Sequence, residues 1–285
     1  MISSVSDKIA RDAANPIRTP VDDVRCRGCF AWRAGPIASR FFACLALTVL
    51  TLGAVLGQGT AQVSKTTPSG SWQVVLAAGD DAQPVFDNAT HELSQRLAAA
   101  GVPASNIHRL SASSSEIGAG VEPALIGVLL RRIADLPVRP GDRCLVFLTS
   151  HGERGAGVWL ARSNAALSPD ALAQALSRGC AGVPTLVIVS ACYSGSFAGG
   201  KMAMPNRVIL TAARRDRPSF GCQVHRTYNF FDECLLGALP KSATWRAAFD
   251  GTKGCVRHME QVLGERPSEP QAYFGAAVAD LRVGF

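Results

Sequence analysis

From Trp72 onward the chain repeats one pattern. A short, continuous apolar run is followed by a glycine or proline break, then by a stretch with apolar positions at helical spacing. The runs WQVVLAAG (72–79), DRCLVFLTS (142–150), PTLVIVS (184–190) and RVILTAA (207–213) predict strands apolar on both faces, and NIHRLSA (106–112) predicts a fifth. Between them, residues 84–100 predict a helix stopped by Gly101, and 121–136 a helix closed by Pro137 and Pro140. Ser168, Pro169 and Asp170 have the order of an N-cap followed by the first helical residues, opening a helix to about Arg178. Two more helices are expected near 229–239 and 243–263, and a short hairpin around Trp159. Strands alternating with helices predict an α/β fold: a mostly parallel sheet with helices on both faces.

The first 71 residues have a different character. Residues 41–57, FFACLALTVLTLGAVLG, carry no charge, follow Arg25, Arg27, Arg33 and Arg40, and are followed closely only by Lys65. That charge bias keeps the N-terminus cytoplasmic and sends the rest across a membrane. The segment reads as an uncleaved transmembrane anchor or as a signal segment cut after Ala61 in GTAQ; the long lead before it favours the anchor. The division is therefore a tail (1–40), the anchor or signal segment (41–57), a linker (58–71) and a folded domain (72–285) on the non-cytoplasmic, periplasmic side, with the membrane as a partner through its N-terminal segment.

Composition narrows the function. A hydrophobic share of 47% with 18% charge allows a sizeable core, and the net charge of +7 comes without a basic stripe interleaved with aromatics, so no nucleic-acid partner is expected. Nine cysteines are too dilute for a disulfide scaffold and lack metal-site order. Cys26 and Cys29 form a lone CxxC, which is weak evidence for a metal, and neither metal nor cofactor is expected. Cys222, Cys234 and Cys255 are candidates for pairing in an oxidising compartment, in no order the sequence fixes, whereas Cys144 reads as an inert thiol facing a strand core. His91, His225 and His258 stand at no strand end, and Glu153 reads as a solvated loop carboxylate.

Ligand chemistry in a parallel sheet gathers beyond the carboxyl ends of the strands. Two strands deliver chemistry there: one ends in Ser150, His151 and Gly152, the other in Ser190, Ala191 and Cys192. A thiol is only slightly ionised at neutral pH, and an imidazole beside it can take its proton and later return one to a leaving amine. The glycine after His151 frees a backbone N–H which, with that of Cys192, can form an oxyanion hole. A buried cysteine or a lone His-Gly is more often structural, but the two together at equivalent strand ends favour catalysis.

The stretches LVFLTSHGERG (145–155), LVIVSACYSGSF (186–197) and RPSFGC (217–222) resemble the bacterial branch of the legumain-like C13 cysteine peptidases, which have the caspase-type fold. The similarity runs from about Val74 to PQAYFGAA (270–277). It implies a caspase-like sheet, His151 and Cys192 as a catalytic dyad, an oxyanion hole at Gly152 and Cys192, and an endopeptidase working on protein or peptide substrates through a thioester. It also keeps two rivals open: a transamidase or transpeptidase acting on surface proteins, and a catalytically silent binding domain. The specificity residues depart from legumain. Ser190 stands where the family has an acid, and Asp87, in VFDNA, stands where the family reads asparagine with a basic pair; Ser219 matches a pocket serine. An acid at the substrate pocket implies Arg or Lys at P1, unless Asp87 serves its own helix instead. Self-cleavage has a candidate loop at 162–168.

Overall fold

A computed structural model describes residues 70–284. The apolar segment at 41–57, most of the linker, and Cys26 and Cys29 lie outside the described residues. Among the described residues no helix is long and apolar enough to cross a membrane.

The first half comprises β1 (Trp72–Ala78), α1 (Val85–Ala99), β2 (Ile107–Ser111), β3 (Val121–Pro123), α2 (Ile126–Ala134) and β4 (Arg143–Thr149). Then come β5 (Gly152–Glu153), β6 (Gly157–Leu160), β7 (Ala165–Leu167), α3 (Pro169–Gly179) and β8 (Thr185–Ser190). The chain closes with β9 (Arg207–Thr211), α4 (Phe230–Ala238), α5 (Trp245–Leu263) and β10 (Gln271–Phe274). Seven strands form one sheet in the order β10-β9-β8-β4-β1-β2-β3, and β5, β6 and β7 form a small antiparallel sheet. Every pairing in the large sheet is parallel except β10 with β9.

The central strands are buried on both faces because their alternate side chains feed two cores. Leu145, Phe147, Leu186 and Ile188 pack with Leu93 and Leu97 of α1, Phe231 and Leu235 of α4, and Trp245 and Phe249 of α5. Val146, Leu148, Val187 and Val189 pack with Leu129 and Ile133 of α2 and with Leu172 and Leu176 of α3. This is the expected α/β arrangement, and continuous apolar runs are what two-sided burial requires. Both described ends meet at the edge where the parallel strands begin: the Trp72 indole N–H donates to the Gly284 carbonyl at 3.0 Å.

Helix boundaries follow the expected signals. Ser168 accepts from the Ala171 N–H at 3.3 Å and caps α3, Thr244 accepts from the Ala247 N–H at 3.2 Å and caps α5, and α5 ends on Gly264 at φ +72°. Two readings need correction, and one strand went unforeseen. Residues 121–136 are not one helix. Pro123 pushes Glu122 toward extended backbone, so 121–123 pair with β2 as an edge strand, and α2 starts only at Ile126. Residues 271–274 add an antiparallel edge strand, too short and half-exposed to show a pattern. The 162–168 segment is not a free loop, since it holds Asn164 in a left-handed turn and β7.

Cys144 is not an inert thiol. Its side chain faces α3, whose last turn delivers Cys180, and the two form a disulfide with a Cα–Cα distance of 6.0 Å. A second disulfide, Cys234–Cys255, staples α4 to α5, and Cys222 stays free.

Candidate active site

The ladder between β4 and β8 pairs Leu145 with Leu186 and runs in step to Thr149 opposite Ser190. His151 and Cys192 each follow two residues beyond that last rung, so neighbouring strands bring both to one edge of the sheet. Beyond the rung the chains part. The Ser150 N–H donates to the Ser190 carbonyl at 3.1 Å and closes the ladder. His151 is then held from the hairpin side: its carbonyl accepts from the Trp159 N–H at 3.0 Å, and the Ser150 hydroxyl donates to the Trp159 carbonyl at 2.7 Å. The buried Phe86 ring meets the imidazole edge to face at a centroid distance of 5.2 Å.

Gly152 lies against the backbone of Cys192. A Cβ at Gly152 would stand 1.9 Å from the Cys192 carbonyl oxygen and 3.0 Å from its nitrogen, which no side chain tolerates. The Gly152 backbone therefore lies directly against that of Cys192.

After Cys192 the chain turns sharply. Tyr193 adopts left-handed backbone at φ +59°, and its N–H donates to the Arg217 carbonyl at 2.8 Å. The Arg154 guanidinium, from the turn after β5, lies over the Tyr193 ring at 5.2 Å and donates to the Asp216 carbonyl at 2.8 Å, tying together the segments that follow His151 and Cys192. Ser219 faces the thiol: its N–H donates to Cys192 Sγ at 3.3 Å, and its hydroxyl lies 3.8 Å from the sulfur. Imidazole and thiol do not hydrogen-bond to one another here, and such pairs commonly tighten only around substrate.

Of the residues singled out from sequence, His151, Gly152, Ser190, Cys192 and Ser219 converge on this edge. Asp87 is buried in the first turn of α1, and its closest electrostatic neighbours lie on the β2 side. Burial raises its pKa most; the Ser111 hydroxyl, at the end of β2, and Arg109 draw it back, and Glu116 and Asp81 raise it further. Cys222 packs on Ala78, Val85 and Phe86, and its thiol is pushed up to about 12 by burial, with Cys192, Asp232 and Asp80 adding to the effect. His91, His225, His258 and Glu153 are exposed.

Sequence reasoning missed Asn229 and Asp232, at the start of α4. They sit buried beneath Thr149 and Ser190, and burial pushes the Asp232 carboxyl up to about 7 against the pull of the neighbouring Thr149, Ser190 and Asn229 side chains. The Asn-x-x-Asp spacing signals a helix cap, and Asn229 is one, accepting from the Asp232 N–H at 2.8 Å. A cavity of about 430 Å³ between α5 and the segment after it is lined by none of these residues. No group of three or more His, Cys, Asp or Glu side chains able to hold a metal ion occurs among the described residues.

The model of the Peptidase C13 family matches residues 132–274, a span that begins before β4 and ends with β10. The chain belongs to the Peptidase C13 family. It is a cysteine peptidase, and the family makes a protein or peptide its substrate. The fold is similar to that of caspase-1 from Spodoptera frugiperda, with a TM-score of 0.52 at 15% identity, over 73% of this C13 chain and 88% of that one. A comparison with curated proteins gave no match.

Proposed function

We propose that the chain is a cysteine endopeptidase in which Cys192 is the nucleophile and His151 the general base and acid. The observation that carries this is the shared register of β4 and β8, which brings one ionisable thiol and one imidazole out at the same sheet edge with Gly152 packed on Cys192. His151 takes the Cys192 proton as sulfur attacks the substrate carbonyl carbon. The Gly152 and Cys192 N–H groups receive the oxyanion. Collapse of the tetrahedral intermediate breaks the C–N bond, His151 protonates the departing amine, and a thioester remains. Water, deprotonated by His151, then releases the acid and restores the thiol. No step calls for a metal or cofactor.

The substrate-binding surface is assigned to Ser219, which already touches the thiol, and to Asp87, whose charge would favour Arg or Lys at P1; Ser190, read from sequence as a third member, is buried beneath them and supports the surface from below. The domain from Trp72 is assigned to the exported side of a membrane, with 41–57 as its anchor or signal. Two disulfides support that reading, because such bonds persist in oxidising compartments. Cell fractionation with alkylation tests it. A cytoplasmic protein with Cys144, Cys180, Cys234 and Cys255 all free to react would overturn it.

The catalytic assignment is tested by incubating the chain and its Cys192→Ala variant with a diverse peptide mixture and an added amine, and identifying products by mass spectrometry. New carboxyl termini that depend on Cys192 are expected. Cys192-dependent amine adducts in place of acids would turn the assignment to transamidation, and cleavage by Cys192→Ala would overturn the nucleophile.

A further inference from the structure

Beneath the catalytic edge four polar side chains are buried together. Thr149, Ser190, Asn229 and Asp232 are 0, 1, 4 and 1% exposed. Asp232 Oδ2 accepts from the Thr149 hydroxyl at 2.7 Å and from the Asn229 amide at 2.6 Å. The same amide lies 3.1 Å from the Ser190 hydroxyl, which also stands 3.4 Å from Asn229 Oδ1. Thr149 and Ser190 are the last residues of β4 and β8, directly opposite one another, and each stands two residues before a catalytic side chain. The network thus joins the two strands where their hydrogen-bond ladder stops and where His151 and Cys192 go separate ways.

This placement is poorly explained by stability. α4 already has its cap in Asn229, so Asp232 is not needed to start the helix. Asp232 Oδ1 is buried without a hydrogen-bond partner, and a buried carboxyl satisfied at one oxygen is costly compared with an apolar side chain of the same size. Leu235, Leu236 and Phe231 of the same helix show that apolar side chains fit this face.

We propose that Asp232 is a positioning residue for catalysis, acting through Thr149 on the His151 strand and through Asn229 and Ser190 on the Cys192 strand. It touches neither reacting group. It fixes the separation of the two strand ends, and stability is given up for that alignment. The inference rests on the assignment of His151 and Cys192 as the catalytic pair.

The test uses the full chain, its Asp232→Leu, Asp232→Asn and Thr149→Val variants, and Cys192→Ala as the blank. The best-cleaved peptide of the mixture above serves as substrate, and kcat, KM and the thermal midpoint are read for each. Asp232→Leu should lose about tenfold or more in kcat, the scale of a small misalignment, with KM within about twofold and a midpoint no lower than the parent. Asp232→Asn should recover most of kcat, because its carboxamide oxygen accepts the same two bonds. Thr149→Val, which removes one of those bonds and keeps the shape, should reproduce the loss, and it decides the matter if Asp232→Leu does not fold. Unchanged kcat in both Asp232→Leu and Thr149→Val, or activity that falls only in step with the midpoint, overturns the proposal. Absence of any Cys192-dependent cleavage by the parent chain overturns the catalytic pair itself, and the proposal with it.

Discussion

Gly152 and Cys192 share one contact that admits no side chain: a Cβ on the first would lie 1.9 Å from the carbonyl oxygen of the second. The glycine after the histidine therefore lets the chain at 152 lie directly on the Cys192 backbone, a role separate from any freedom in its dihedral angles. Gly152→Ala must push the Cys192 peptide aside. A displacement of about 1 Å at a reacting group is enough for a loss of roughly 100-fold, so kcat/KM should fall by that order, and the forced shift of backbone should also lower stability by about 1–3 kcal/mol. Full activity in Gly152→Ala would mean that the contact is not part of the working site.

Asp232 gives stability a pH dependence whose sign is fixed. Its folded-state pKa, about 7, lies above the ordinary carboxylate value of 3.8, so between those values the folded chain holds a proton that the unfolded chain has lost. Stability from this group therefore falls as pH rises from about 4 to about 7, by at most about 1.4 kcal/mol per pH unit. Asp232→Asn should flatten that slope in denaturant melts at pH 4, 5.5 and 7. A parent and variant with parallel profiles would place the Asp232 pKa near its ordinary value.

That the meeting of His151 and Cys192 at one sheet edge could be read from sequence, while the polar side chains beneath it could not, has a physical reason. Strands buried on both faces announce themselves as unbroken apolar runs, and the places where Leu-Thr-Ser-His-Gly and Val-Ser-Ala-Cys break those runs are visible in one dimension. Asn229 and Asp232 look like an ordinary helix start, because their burial depends on α4 packing under two strand ends about 80 and 40 residues earlier in the chain. Cys144 and Cys180 are separated by 36 residues and meet only once α3 crosses the sheet, so spacing gave no sign of their pairing. The misread helix at 121–136 had an apolar periodicity that only the effect of Pro123 contradicts.

The two disulfides close loops of 36 and 21 residues, short for a domain of this size. They should contribute about 4 and about 3 kcal/mol respectively through the unfolded chain. Double replacement of Cys144 and Cys180 by alanine should lower the midpoint in urea accordingly, and Cys234 with Cys255 likewise. A change below about 0.5 kcal/mol in either pair would show that the bond adds nothing beyond the surrounding packing.

Two readings of the Asp87 carboxyl, a substrate contact and a structural one, are separated by one substitution. If its charge reads the substrate, Asp87→Asn should weaken cleavage after Arg and Lys by about tenfold or more, the scale of a charge-assisted hydrogen bond, relative to cleavage after uncharged residues. If the carboxyl instead ties α1 to Ser111 at the end of β2, P1 preference should stay as it was while the midpoint shifts. A P1-scanning peptide set with parent and variant side by side distinguishes the two.

The Trp72 indole that reaches the Gly284 carbonyl brings the two described ends of the chain together at the starting edge of the sheet, while β4 and β8 run away from that edge toward His151 and Cys192. A seven-residue strand such as β4 is about 23 Å long, so the join lies roughly a strand's length from the chemistry. The order in which the elements are synthesised is thus uncoupled from the place where they act. A circular permutant that links Gly284 to Gly70 and opens at the exposed turn around Gly182 would present the same pair of strand ends from a differently threaded polypeptide.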